Sequence, residues 1–218
     1  MLKILSMYRR FIVTGVLVFF SLGFLIFFTE SDAFSPVLQK LIVSIVFFLV
    51  IPLLYSKMVL GESLKNLGFQ KGNFGRGVFI SILSVAVASG VVVWLAFVFP
   101  SFHEQFILPA SVEDSFFWFA FYELVLVALS VLLYEVFFRG LVELFWLREF
   151  GVWSILIQSV LFFGLIALSR NISWQIAPPL IFCPLSGLIA YRSQSIWYSI
   201  VASWIFLFLT DVFFLIYH

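Results

Sequence analysis

FFWFAFYELVLVALSVLLYEVFF, residues 116–138, carries charge only at Glu123 and Glu135. A bilayer's hydrocarbon core, about 30 Å thick, is crossed by about 20 apolar residues in an α-helix. The block is continuously apolar rather than alternating, and about twice the length of a barrel strand. It predicts a transmembrane helix. Six further blocks of the same character lie at 11–28, 37–59, 78–99, 152–168, 175–191 and 196–217. Lipid offers no hydrogen bonds to a backbone, so such blocks must be helical. The expected fold is all-α, a polytopic bundle of about seven spans forming a single membrane-embedded domain over 1–218.

The connections between blocks set the orientation. Of the 12 Lys and Arg residues, ten fall on alternate connections: Lys3, Arg9 and Arg10; Lys57, Lys65, Lys71 and Arg76; Arg139 and Arg148; and Arg192. Lys40 and Arg170 are the exceptions. The other connections hold Glu30 and Asp32, then His103, Glu104, Glu113 and Asp114. Loops rich in Lys and Arg stay cytoplasmic, so the N-terminus is expected inside and the C-terminus outside. The block from Phe11 is too long for a signal peptide and lacks its small-residue cleavage site, so it is expected to be a retained span.

Composition points the same way. Apolar residues are 64 % and charged residues 11 % of the chain, with 31 Phe, whereas a soluble domain is nearer half apolar and a quarter charged. A net charge of +1, with no dense basic patch, argues against nucleic acid. One cysteine, Cys183, rules out an internal disulfide and a Cys-rich metal site; core packing is its expected role. The polar stretch 61–76 is expected to form a surface loop with one helical turn at 62–67, its basic side chains towards lipid head groups. Pro52, Pro178, Pro179 and Pro184 should kink or interrupt spans.

Ionisable groups within spans are costly and each is a functional candidate. They are Glu123 and Glu135 in the fourth block, Arg139 at its cytoplasmic end and Asp211 in the last. Glu135 and Arg139 lie four apart, Glu first, the favourable order for a helical ion pair. Glu143, four beyond Arg139, is an alternative partner. Pairing at a helix end among the head groups, with Arg139 snorkelling, is the structural alternative to chemistry. Ser169, Ser186 and Ser203 have no candidate base, so packing or back-bonding is expected of each. Glu123, Glu135 and Asp211 could instead relay protons in a small transporter or channel component, although no inverted repeat is evident.

YEVFFRG (134–140), followed by ELFWLREFG (143–151), resembles the first motif of the CPBP family, the intramembrane CAAX endopeptidases and the bacteriocin-processing and immunity "Abi" proteins. SLKNLGFQKGNFGRG (63–77) resembles the loop before that family's third span. SVLFFGLIAL (159–168) and SIWYSIVASWIFLFL (195–209) resemble the settings of its second and third motifs. The resemblance implies a CPBP-like helical bundle. It places the motif Glu-Glu-x-x-x-Arg on Tyr134, Glu135 and Arg139, the second-motif His on Ala167, the third-motif His on Ser203, and the following Asn on Phe206 or Leu207. In the family the first Glu activates water and the two His complete the site. This chain keeps Glu135 and Arg139 and has no imidazole at the other places. His103 lies in an outer connection and His218 ends the sequence.

The expectation is therefore a degenerate, non-catalytic member of the family, with no metal and no cofactor. Its partners would be the lipid bilayer and a membrane protein or lipidated peptide, and its location a prokaryotic cytoplasmic membrane. The alternative is a divergent CAAX-type protease using Glu135.

Overall fold

The computed structural model describes residues 2–29, 35–169 and 173–217, and all regular structure among them is helical. Five helices are long and apolar enough to cross a membrane: α2 (Leu38–Val59), α3 (Phe74–Val98), α4 (Phe116–Leu147), α6 (Trp174–Ser193) and α7 (Ile196–Tyr217). The first and fifth blocks give shorter apolar helical stretches. They are Arg10–Ile26 within α1 (Leu2–Ile26), and α5 (Trp153–Leu168). The expected outer connection with Glu30 and Asp32 lies outside the described residues, as do Arg170 and His218.

The bundle hides ionisable groups among apolar side chains and turns further large apolar side chains outward. Phe19, Phe79 and Phe116 are 65 %, 68 % and 86 % exposed, whereas Glu123, Glu135, Arg139 and Glu143 are each 3 % exposed or less. In water this arrangement would forfeit the apolar surface that stabilises a fold. Against acyl chains it is the favourable one.

Two apolar clusters divide the interior. One joins α1, α2, α4 and α5 around Phe48, Phe137, Phe138 and Phe162. The other joins α3, α6 and α7 around Ala88, Phe182, Phe206 and Phe214, with Phe102 and Phe106 of the α3–α4 connection packed in. Aromatic geometry fixes both: Phe48 meets Phe137 at 4.7 Å between ring centroids, and Phe182 stacks on Phe206 at 4.6 Å. Helix α4 runs at the seam, touching α5 on one side and α6 and α7 on the other.

Helix α4 extends beyond residue 138, where the sequence suggested it would end. Residues 140–147 continue it, and 140–144 are buried. Glu135 and Arg139 thus lie well inside the bundle, and Arg139 does not snorkel to the head groups; this corrects the picture of an ion pair at a helix end. Two stretches of α4 are wound as π-helix, Tyr122–Val127 and Glu135–Leu144. Such i→i+5 winding widens the helix locally and recurs at functional sites. In α2, π-helical turns flank Pro52, which has no N–H to give to the preceding turn.

The 61–76 loop is less superficial than its composition suggests. Its helical turn is a 3₁₀ turn, Leu64–Leu67, and Leu67 is buried in the first cluster. The following backbone docks on the α6–α7 turn: Ile196 N–H donates to Gly68 O at 3.1 Å, Asn73 N–H to Ser193 O at 2.8 Å and Gln70 Nε2 to Gln194 O at 2.9 Å. Gly68 has φ +83°, and a Cβ there would meet Leu144 and Ile196, so only glycine fits both the turn and the approach.

Candidate functional site

A cavity of about 730 Å³ opens between α1, α2, α4, α5, α6 and α7. Its walls are apolar, with Leu25, Phe48, Leu126, Phe162 and Phe206 contributing; Lys40 and Ser169 lie at one end, and Glu135 and Arg139 at the other. The volume is in the range of small-molecule sites.

The polar end is built from four helices. Glu135 Oε1 accepts hydrogen bonds from Ser186 Oγ of α6 at 2.6 Å and Ser203 Oγ of α7 at 2.8 Å. Arg139 Nε stands 3.6 Å from the same oxygen, and both side chains are almost fully buried. Arg139 Nη2 donates to the carbonyl of Cys183 at 3.0 Å, and the Gln158 amide of α5 reaches that carbonyl at 3.4 Å and Ser159 Oγ at 2.8 Å. Glu135 Oε2 is closed off from solvent and has no partner.

Helix α6 admits this cluster because its facing residues are small. At Gly187 an added Cβ would stand 2.7 Å from Gln158 Nε2 and 2.8 Å from Glu143 Oε2. Glu143 is wholly buried, has no side-chain hydrogen-bond partner among the described residues, and shares the Arg139 field with Glu135. Two carboxyls therefore share one guanidinium at this end of the cavity. Glu135 is the carboxyl that forms the ion pair with Arg139.

The structure brings Tyr134, Glu135, Arg139, Ser203, Phe206 and Leu207 to the one cavity. Ala167 is on the exposed face of α5 and does not line it; its neighbours Leu165 and Ile166 do. Tyr134 packs its ring against Phe48 and Phe162. Ser169 back-bonds to Ile166 O, as expected of a helical serine. Ser186 and Ser203 do not: both hydroxyls bind Glu135, because a buried carboxylate supplies a better acceptor than a carbonyl already used in a helix. Cys183 is buried as expected, and its thiol lies 3.6 Å from Gln158 Oε1. His103 sits in the α3–α4 connection, with Nε2 3.2 Å from Tyr217 O, far along α7 from Ser203. No group of three or more His, Cys, Asp or Glu that could hold a metal ion occurs among the described residues.

Comparison with known proteins finds no match: no family model, no curated protein and no solved structure matches this chain.

Three participants escaped the sequence reading. From sequence Ser186 reads as a packing or back-bonding serine, Gln158 as part of an apolar block, and Glu143 only as an alternative partner of Arg139. A signal existed in the polar residues Gln158, Ser159, Ser186 and Ser203, which stand inside otherwise apolar blocks.

Proposed function

We propose that this chain is a non-catalytic, CPBP-like membrane protein that uses its cavity to bind a lipidated peptide or the helix of a membrane partner. The reading extends to seven crossings in a prokaryotic cytoplasmic membrane, N-terminus inside and C-terminus outside. The basic residues of the 61–76 loop and Arg192, clustered at one end of the bundle, support that orientation.

The bonding of Glu135 is the observation that carries the functional part. A general base needs an oxygen within hydrogen-bond reach of the water or group it deprotonates. Here Oε1 holds two serine hydroxyls beside the Arg139 guanidinium, and Oε2 is sealed. Ser203 supports the family reading as well: it occupies the place assigned to the third-motif His and lies against the retained carboxylate. A hydroxyl there stabilises the anion and cannot act as an imidazole acid or metal ligand.

The test is a cleavage assay on prenylated and membrane-embedded peptides with the protein in lipid vesicles, run beside peptide binding. Binding without cleavage is expected. Binding should weaken in Leu207→Trp, whose indole fills the cavity. Turnover that disappears in Glu135→Gln would overturn the proposal.

A further inference from the structure

A second set of buried acids lies at the opposite end of α4. Glu123, on the π-helical segment Tyr122–Val127, is 1 % exposed; Asp211 of α7 is 6 % exposed. Both belong to candidate membrane spans. Their carboxyls face one another, and the Tyr122 phenol is the other titratable group beside them. No basic side chain pairs with either acid among the described residues.

The donors that might have served them are engaged elsewhere. Trp204 Nε1 donates to the backbone carbonyl of Glu123 at 3.0 Å, and Thr210 Oγ1 to Phe206 O at 2.9 Å. Among the described residues neither Glu123 oxygen receives a hydrogen bond from a donor outside this acidic pair, the Tyr122 hydroxyl included. An ionised carboxylate only accepts hydrogen bonds. Two of them in contact, out of water and without a cation, would repel at close range, and paired carboxyls elsewhere resolve this by holding a proton between them. With one proton the repulsion becomes an O–H···O⁻ bond, the short, strong type.

We propose that Glu123 and Asp211 form a proton-binding site that ties α4 to α7, one proton lying between the two carboxyls. The site adjoins the cavity wall, because Tyr122 and Val127 of the same α4 segment line the cavity. Its proton therefore holds together two of the helices that shape the cavity. This inference is independent of the functional reading above and survives if that reading fails.

Infrared spectroscopy of the full chain in lipid nanodiscs tests it. At neutral pH a carboxylic-acid carbonyl band is expected, lost as pH rises. Carbon-13 labelling of aspartate and glutamate should shift it in the wild-type protein, which needs no variant to fold. The doubly neutral Glu123→Gln/Asp211→Asn protein should show a weaker band, any remainder belonging to the buried Glu143, while Glu135→Gln leaves it unchanged. Three results would each overturn the proposal: no acid band in the wild type, a band that persists undiminished in the double variant, or a band that vanishes when sodium or calcium replaces choline, which would make the resident ion a metal cation.

Discussion

Glu135 and Glu123 sit on one helix, twelve residues apart, and the bundle accommodates them in opposite ways. At Glu135 donors converge: a guanidinium from one turn along α4 itself, a hydroxyl from α6 and a hydroxyl from α7. At Glu123 the facing helix brings another acid. The first arrangement surrounds a carboxyl with donors. The second leaves an acceptor facing an acceptor and calls for a proton from outside the chain. A buried acid in a membrane thus says little by its presence, and its function follows from what the neighbouring helices present to it.

The contrast is broken most severely by Arg139→Ala. It removes the guanidinium shared by Glu135 and Glu143 and leaves two carboxyls in the interior. Losing one member of a buried pair costs about 3–5 kcal/mol, so the unfolding midpoint in detergent should fall sharply. Glu135→Ala should also destabilise, leaving the guanidinium with less compensation; unchanged detergent stability there would contradict a structural role for the pair. Ser203→Ala takes away one of two hydroxyls on Oε1. A hydrogen bond to a charged group contributes about 1.5–3 kcal/mol, and thermal unfolding should show the low end of that range because Ser186 remains. Gly187→Ala drives a methyl group between Gln158 and Glu143. Overpacking of this kind costs about 1–3 kcal/mol, measurable in the same assay.

The smallest effect is expected at the other end of α4. In Glu123→Gln the amide donates to Asp211 in place of the shared proton, and stability should change by less than about 1 kcal/mol. A loss as large as that of Arg139→Ala would erase the distinction between the two ends.

The membrane-embedded helices were legible because continuous apolar blocks need no tertiary information. So was the Glu135–Arg139 pair, a local i,i+4 relation. The termini of α4 were not, since residues 140–147 hold one charge and look like an ordinary exit into the head groups. The partners of Glu135 were hidden for a different reason. Ser186 and Ser203 are 51 and 68 residues away in sequence. In a soluble helix an apolar stripe marks the inward face; helices that are apolar all round carry no such mark, so the sequence did not say which serines turn towards α4. The burial of Gln158 and Glu143 has the same cause. Their polarity marked them as inward-facing, but not towards which neighbour.

The docking of the 61–76 loop on the α6–α7 turn has one more consequence. Its links at Gly68 and Asn73 run from main chain to main chain, and Tyr198 adds a hydroxyl that bonds the main-chain carbonyl of Lys71. A latch made of peptide groups is indifferent to most side chains. Drift could rewrite much of that loop, provided the buried Leu67 persists together with Gly68 and with Gly72, whose φ is +56° and where an added Cβ would meet the Ser193 carbonyl, and its path over the bundle would outlast much of its spelling.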